Sequence, residues 1–423
     1  MRFFLFFALL LLPGVALADG AFPDEMAVLA PPSAPHRLIV ATNFGLVISE
    51  DDGMHWRFTC ERLVSGGASN ALVSLYQVGP DSALYGIYTR GMARSADGCT
   101  WSPAGGTLSG RFVFDAFVDP NDAQRVVAIG SADSDATALY PSQDGALTFA
   151  APLMTDPDSL KSVEISRSVP GLLYATSFHL DKTGAGTSFL LRSVDSGVHW
   201  SRQAITAVPG SIVRIAAIDP DRDRIYLRLT DALAGKDAIG ISDDGGQTIT
   251  LALQIDDFFT AFLRASDGTL YAGTRASSLY VRAPGAGTFE KRAAPHLRCL
   301  GERAGHLFAC GDNALDGFAL GQSDDGGKTL KPLFRFQNIC GMAECEAVQA
   351  TCVDDWDKLR KSFKIADDVS CTQASDGGSA DAGLDGGLNV GAPPPKGGCH
   401  CGSAPMDWAM IGFLLLVSRR RRR

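Results

Sequence analysis

The chain has 423 residues, of which 46% are hydrophobic and 20% charged, and its formal net charge is −9 at pH 7. This length suits one large domain with a small appendage. Because a nucleic-acid ligand requires a basic protein surface, the acidic balance argues against DNA or RNA as a partner.

Residues 1–18 have the pattern of a secretory signal peptide. Arg2 supplies the positive charge, residues 3–12 form an apolar run, and Ala16-Leu17-Ala18 provides a small-residue cleavage site. The apolar run is short for a membrane-spanning helix. We therefore predict that the protein is exported and that its folded part follows residue 18.

A short phrase recurs through the middle of the chain. Its pattern is Ser-x-Asp-x-Gly, followed by Thr or His and then by an aromatic or apolar residue, and we call it the SxD motif. Four copies are good, two are imperfect, and a seventh at 282–289 keeps only the Gly-rich turn and the Thr-Phe end. Successive copies lie 40 to 51 residues apart, which is close to the length of one propeller blade. The motif residues that we single out as structural are Ser49, Asp51, Gly53, Trp56, Ser95, Asp97, Trp101, Ser142, Asp144, Phe149, Ser193, Asp195, Gly197, Trp200, Ser242, Asp244, Gly246, Ser323, Asp325 and Gly327.

Strand-like runs of β-branched and aromatic residues flank the copies, and no long helical period occurs between residues 35 and 335. In a hairpin turn, an Asp carboxylate accepts hydrogen bonds from nearby backbone N–H groups, and Gly supplies the positive φ. We therefore interpret the motif aspartates as structural acceptors rather than general acids.

The SxD motif resembles the Asp-box, or BNR repeat, of bacterial sialidases, sortilin-type receptors, xyloglucan-active glycoside hydrolases and photosystem II assembly factors. The resemblance covers about residues 35–335. It implies an all-β fold, a β-propeller within residues 19–337, with one box between the outer two strands of each blade. Seven blades is the prediction, with six or eight as alternatives. The resemblance also implies that the box lies away from the ligand-binding face.

Ten cysteines in an exported chain indicate disulfides. Cys299 and Cys310 bracket a predicted hairpin, so a cross-strand bond is expected there. Cys60 and Cys99 are predicted to pair with each other.

The segment 338–373 differs in kind, because Trp356, Leu359 and Phe363 follow a helical spacing. We predict a disulfide-stapled, partly helical cap on the propeller, and a separate binding module is the alternative. The connectivity cannot be deduced from the sequence. The cysteines of this segment are Cys340, Cys345, Cys352 and Cys371.

Residues 374–398 are rich in Gly, Ala, Asp and Pro and are predicted to form a disordered linker. Residues 399–423 contain Cys399, Cys401, a short apolar stretch and a cluster of arginines. This order resembles the MYXO-CTERM sorting tail of myxobacterial surface proteins. The resemblance implies cleavage near the cysteines, a lipid attached there, and display at the cell surface or outer membrane of a Gram-negative bacterium. A metal site or disulfide at Cys399 and Cys401 is the alternative.

No catalytic set can be assigned from the sequence. The Phe/Tyr-Arg-Ile-Pro motif of sialidases is missing, and no His pair has zinc spacing. Asp219, Asp221 and Asp223 resemble half of a calcium loop, but Arg224 stands where the glycine should be. A glycoside hydrolase needs two carboxylates at one cleft, and no pair stands out among the acidic residues outside the motifs, which include Asp81, Asp115, Glu164, Asp181, Asp256 and Asp257.

We therefore assign no catalytic, cofactor or metal residues. The sequence favours a monomeric, non-catalytic binding or scaffold protein for a protein or glycan ligand of the cell envelope, held to the membrane through its tail or a lipid. The alternative is a divergent secreted glycoside hydrolase or sialidase-like enzyme, and a third hypothesis is an assembly factor.

Overall fold

The computed structural model describes residues 25–67, 72–133, 136–366 and 371. These residues belong to one compact unit, Phe22–Cys371. The predicted signal peptide, the linker and the tail with Cys399 and Cys401 lie outside the described residues. Within the described part of the chain, no helix has the length and apolar character needed to cross a membrane.

Seven antiparallel sheets follow one another along the chain, and each has four strands paired in sequence order. We number these sheets as blades 1 to 7. The strands of blades 1 to 3 are β1 Glu25–Leu29, β2 Leu38–Thr42, β3 Gly45–Ser49, β4 Trp56–Cys60; β5 Val73–Val78, β6 Leu84–Tyr88, β7 Gly91–Ser95, β8 Ser102–Pro103; and β10 Val113–Val118, β11 Val126–Ser131, β12 Thr137–Ser142, β14 Met154–Asp156. Two short strands, β9 Gly105–Gly106 and β13 Thr148–Phe149, pair in parallel between blades 2 and 3.

Blades 4 to 7 repeat the same arrangement. Their strands are β15 Ser159–Ile165, β16 Leu173–Leu180, β17 Gly186–Ser193, β18 Ser201–Ile205; β19 Ile212–Ile218, β20 Ile225–Asp231, β21 Lys236–Ser242, β22 Thr250–Ile255; β23 Phe259–Arg264, β24 Leu270–Thr274, β25 Ser278–Arg282, β26 Glu290–Ala293; and β27 Cys299–Arg303, β28 His306–Cys310, β29 Leu320–Ser323, β30 Lys331–Phe334.

The first strands of the blades form a closed ring. Each first strand contacts the first strand of the next blade, and β27 of blade 7 contacts β1 of blade 1. The second and third strands are largely buried, since apolar side chains on both sheet faces pack against the neighbouring blades. The architecture is therefore a seven-bladed β-propeller, which confirms the fold and the blade number predicted from the sequence.

A C-terminal cap, residues 335–366 and Cys371, continues from blade 7. It contains a 3-10 turn at Phe336–Asn338, strand β31 Ile339–Met342, and helices α2 Glu346–Thr351 and α3 Val353–Phe363; a short helix, α1 Glu61–Val64, follows blade 1. Strand β31 pairs in parallel with β4, so blade 1 has a fifth strand. Leu359 and Phe363 of α3 are buried, which agrees with the helical spacing seen in the sequence.

Four disulfides occur in the described residues. The predicted Cys299–Cys310 bond is confirmed, because the two residues are cross-strand partners on β27 and β28. The predicted Cys60–Cys99 bond is wrong. The cap returns to blades 1 and 2 and supplies the true partners, which a sequence distance cannot reveal. The remaining bonds are Cys60–Cys352, Cys99–Cys345 and Cys340–Cys371.

Strand direction alternates within each blade, so the ring has two distinct faces. Turns between first and second strands and between third and fourth strands lie at one end. We call this end the SxD face, because the SxD motifs occupy the latter turns. Turns between second and third strands, and the connections between blades, lie at the opposite end, which we call the connector face.

Candidate functional site

The motif aspartates organise the turns of the SxD face. In blade 1, Asp51 Oδ1 accepts hydrogen bonds from the Ser49 hydroxyl at 2.8 Å and from the His55 backbone N–H at 2.9 Å. The Ser49 hydroxyl oxygen in turn accepts the Gly53 N–H at 2.8 Å. The Trp56 indole N–H closes the turn onto the Gly53 carbonyl at 2.9 Å. Side chains thus satisfy backbone donors that the turn itself leaves open.

The same hydrogen bonds recur in other blades. Ser-to-Asp bonds of 2.8–3.0 Å join Ser95 to Asp97, Ser142 to Asp144, Ser193 to Asp195, Ser242 to Asp244 and Ser323 to Asp325. The motif of blade 2 is one residue short, and there Asp97 Oδ1 accepts the N–H groups of both Cys99 and Thr100. In blade 6, where the serine is replaced, Arg282 Nε donates to the Ala286 carbonyl at 2.7 Å and holds the turn.

These hydrogen bonds also fix the charge of the motif carboxylates. The His199 backbone N–H is the largest contributor that lowers the pKa of Asp195, to about 2, and the His199 ring and the Ser193 hydroxyl add to it. Asp325 has its pKa lowered by the corresponding bonds from Thr329 and Ser323. A carboxyl group that stays ionised and already accepts several hydrogen bonds is poorly suited to donate a proton.

Two acidic residues lie on neighbouring first strands inside the ring. Asp115 of β10 accepts the Val163 N–H of the next blade at 3.0 Å, and burial raises its pKa to about 6 although the Arg214 charge opposes the shift. Burial raises the pKa of Glu164 on β15 to about 8, the Asp115 charge raises it further, and a backbone hydrogen bond from Ile218 opposes both. Glu164 is therefore mainly protonated at neutral pH.

The sequence did not single out this pair. Asp115 interrupts an otherwise apolar strand, which was the available signal for that residue, whereas the strand of Glu164 also contains Ser159, Lys161 and Ser162 and gave no such signal. Their proximity depends on two blades meeting at the ring axis, which the sequence spacing does not encode. Each carboxyl group accepts a backbone N–H from the following blade, so the pair connects blades 3, 4 and 5.

The aspartates that resemble half of a calcium loop face arginines instead. Asp219 and Asp221 both pair with Arg264, at 3.4 and 3.1 Å, and Asp223 pairs with Arg192 at 3.1 Å. Across the described ranges, no group of three or more potential metal ligands converges. The other acidic residues noted above are held by cations or by their own turns: Asp81 by Arg94, Asp256 by Lys236, Asp181 by the N–H groups of Thr183 and Ala185, and Asp257 by the Phe258 N–H.

The connector face is less regular than the SxD face. The second strands of blades 2 and 4 both begin opposite the motif serine, yet β6 has five residues and β16 has eight. The hairpin of blade 4 therefore extends about 10 Å further from the ring. Blade 5 is similar, with seven residues in β20. Large exposed apolar side chains occupy this face, namely Leu72, Phe112, Leu180, Leu233 and Leu315.

No protein-family model and no curated protein matches the chain. Among solved structures, it is similar to YCF48 bound to a D1 peptide, at 15% identity over 61% of this chain and 82% of that chain, with a TM-score of 0.45. It is also similar to YCF48 from Cyanidioschyzon merolae, at 16% identity over 68% of this chain and 92% of that chain, with a TM-score of 0.43.

An ancestral GH74 enzyme has 12% identity over 73% of this chain and 48% of that chain, with a TM-score of 0.50. The chain thus spans about half the length of the GH74 enzyme. At such identities the similarity extends to the fold and not to the chemistry. With seven sheets of four or five strands in a closed ring, the chain is a seven-bladed β-propeller.

Proposed function

We propose that this chain is a non-catalytic propeller that binds a protein or glycan ligand through its connector face. The observation that carries the proposal is the length of the hairpins of blades 4 and 5, which project from the connector face. Leu180 and Leu233 lie at the tips of these hairpins and are 55% and 94% exposed. Single exposed apolar residues are ordinary. Long hairpins with apolar tips on a rigid scaffold are the loops that usually carry binding.

A glycoside hydrolase is the second candidate, and the Asp115–Glu164 pair favours it. A general acid needs a raised pKa, and burial provides one for both carboxyl groups. Against catalysis, each carboxyl group accepts a hydrogen bond from the backbone of the next blade, which uses the pair for packing. The binding proposal is therefore preferred.

Site-specific photo-crosslinking in the producing cells tests the proposal. A crosslinking residue placed at Leu180 or Leu233 should capture one defined partner. The same residue at Met54, which is 73% exposed on the SxD face of blade 1, should not. With the identified partner, Leu233→Asp should weaken binding about tenfold or more, while Met54→Asp should not change it.

Crosslinks confined to the SxD face would overturn the binding proposal. Turnover of a chromogenic glycoside panel, abolished by Glu164→Gln in a folded protein, would instead establish the enzyme.

We also propose that the SxD turns are Asp-boxes and that the protein is exported and held at the cell surface through Cys399 or Cys401. Four disulfides in the folded part support export, because such bonds persist in oxidising compartments. Mass spectrometry of the mature C-terminus tests the tail, since a processed and lipidated cysteine is expected there and an intact arginine end would contradict it.

A further inference from the structure

Three blade interfaces share one packing device, which joins a tyrosine and an arginine to a glycine of the next SxD turn. In blade 4, Tyr174 and Arg192 are cross-strand partners, and Arg192 Nε donates to the Tyr174 hydroxyl oxygen at 3.1 Å. Both groups border Gly245 in blade 5. A Cβ placed on Gly245 would lie 3.1 Å from Arg192 Nε and 3.4 Å from the Tyr174 oxygen.

Blades 2 and 6 use variants of the same device. In blade 2, Arg94 Nε donates to the Tyr85 hydroxyl oxygen at 3.4 Å and borders Gly145 of blade 3. In blade 6, Arg292 donates to the Gly326 carbonyl of blade 7 at 2.9 Å, and the Tyr271 oxygen would be 3.3 Å from a Cβ on that glycine. The phenol oxygen borders the glycine of the next turn in blades 4 and 6. In blade 2, Tyr85 belongs to the same buried cluster as Ala146 of the next turn.

The interface between blades 3 and 4 lacks this device. Val127 and Pro141 are cross-strand partners at the positions of Tyr174 and Arg192, and Ser196 stands where Gly245 does. A recess of about 220 Å³ lies there, which we call the Val127 recess. Its lining residues are Arg125, Val127, Pro141, Gln143, Leu153 and Ser196.

We propose that the Val127 recess binds the phenol ring of a tyrosine side chain supplied by a partner protein. The recess occupies the place that a tyrosine of the chain itself takes at three other interfaces, so the shape of its occupant is defined within the molecule. Val127, Pro141 and Leu153 provide apolar walls. Arg125 pairs with Asp119 at 3.3 Å, and its guanidinium has further N–H donors that a phenol oxygen can accept.

The surroundings of the recess favour a protein segment over a free small phenol. Val194 and Val198 belong to the same turn as Ser196 and are 60% and 65% exposed. A peptide backbone beside the tyrosine can cover these side chains, whereas a single ring cannot. The recess lies on the SxD face, so the inference is independent of the connector-face proposal.

A titration with capped Gly-Tyr-Gly, followed by NMR on the folded domain, tests the inference. The peptide should bind the wild-type protein and shift resonances of residues around Val127. Val127→Tyr places the missing ring in the recess, so the dissociation constant should rise about tenfold or more. Met54→Tyr adds a tyrosine to a distant SxD turn and should leave binding unchanged.

A second variant, Pro141→Arg, introduces the arginine that blades 2 and 4 have at this position, and it should also weaken binding. This variant provides the test if Val127→Tyr does not fold. Capped Gly-Phe-Gly should bind more weakly than the tyrosine peptide, and Arg125→Gln should reduce that difference. Absence of binding to the wild-type protein, or unchanged binding in both filling variants, would overturn the proposal. If p-cresol bound as tightly as the tyrosine peptide, the occupant of the recess would be a small free phenol and not a tyrosine of a partner protein.

Discussion

Carboxyl side chains have opposite protonation states in this molecule, and the surroundings of each side chain decide which state it has. Motif aspartates sit at the surface among backbone N–H groups, which lower their pKa and keep them ionised. Glu164 sits inside the ring, where burial raises its pKa to about 8. Local turn geometry governs the first case, and the position of a strand within the ring governs the second.

We expect Asp51→Ala to lower the free energy of unfolding by about 1–3 kcal/mol at pH 7, because the His55 N–H and the Ser49 hydroxyl lose their acceptor. The pKa of Asp51 is lowered in the folded state despite the opposing effect of burial, since hydrogen bonds from His55 and Ser49 outweigh it. The stabilisation from the ionised Asp51 is present above the pKa of Asp51 in the unfolded chain, and it is lost as pH falls through the pKa of Asp51 in the folded protein. Urea unfolding at several pH values measures both effects.

Asp256→Ala is the matched control for that experiment, because Asp256 is exposed and pairs only with a surface lysine in the described structure. Its stability should stay within about 0.5 kcal/mol of the wild type. Equal losses in the two variants would contradict a specific role for the motif aspartate.

Glu164→Gln tests the half-buried pair of carboxyl groups, Asp115 and Glu164. The folded protein holds a proton on Glu164 up to a pH of about 8, whereas the unfolded chain releases it near the ordinary glutamate value of 4.5. The stabilising effect of protonation is therefore complete below 4.5 and is lost as pH rises towards 8. Calorimetry should show the variant melting above the wild type at pH 8 but not at pH 5. Glu50→Gln, at an exposed position, should follow the wild-type profile, and parallel profiles for all three proteins would refute the assignment.

At the scale of the element, each SxD hairpin is both a turn and a packing surface. In blade 5, Gly246 has a φ of +93°, and a Cβ there would lie 1.9 Å from the Leu190 side chain of blade 4. Leu190 is almost fully buried, so it has little room to move aside. In blade 6, Gly285 has a φ of +76°, and its Cβ would meet nothing within 4 Å. The turn of blade 5 therefore packs on blade 4 at Gly246, whereas the turn of blade 6 has open space at Gly285.

Gly246→Ala should therefore destabilise the protein more than Gly285→Ala. Both variants carry the cost of a side chain at positive φ, about 1–2 kcal/mol. Only Gly246→Ala adds overpacking against Leu190, about 1–3 kcal/mol more. Denaturant unfolding of the two variants measures the difference, and equal losses would show that the hairpins do not support the preceding blade.

At the scale of the whole molecule, the cap reinforces the junction of blades 7 and 1, where the ring closes. In the described part of the chain, β1 to β4 of blade 1 come from one continuous stretch, and so do the four strands of blade 7. The cap adds β31 beside β4 and packs aromatic rings across the junction. The rings of Phe336 and Phe363 in the cap lie 5.3 and 5.7 Å from the Phe44 ring of blade 1. Trp56 of blade 1 also lies 4.4 Å from Phe334 of blade 7.

The long-range disulfides should carry more of the stability than the local one. Cys60–Cys352 and Cys99–Cys345 span 292 and 246 residues, whereas Cys299–Cys310 spans 11. In the chain-entropy model, a loop of about 100 residues gives about 4.7 kcal/mol and one of about 15 residues gives about 3. Replacing Cys60 and Cys352 by serine should thus lower the unfolding free energy more than Cys299→Ser with Cys310→Ser. The opposite ranking would refute covalent ring closure as a source of stability.

The sequence by itself determined the propeller fold, the SxD turns and the Cys299–Cys310 hairpin, and it predicted seven blades with six or eight as alternatives. Each of these depends on contacts between residues close in the chain, so turn chemistry and spacing were sufficient. The tertiary structure alone decided the partners of Cys60 and Cys99, the meeting of Asp115 with Glu164, and the space left beside Val127. Those features arise where separate blades or the cap come together, and their geometry depends on how the whole ring closes rather than on any local pattern of residues.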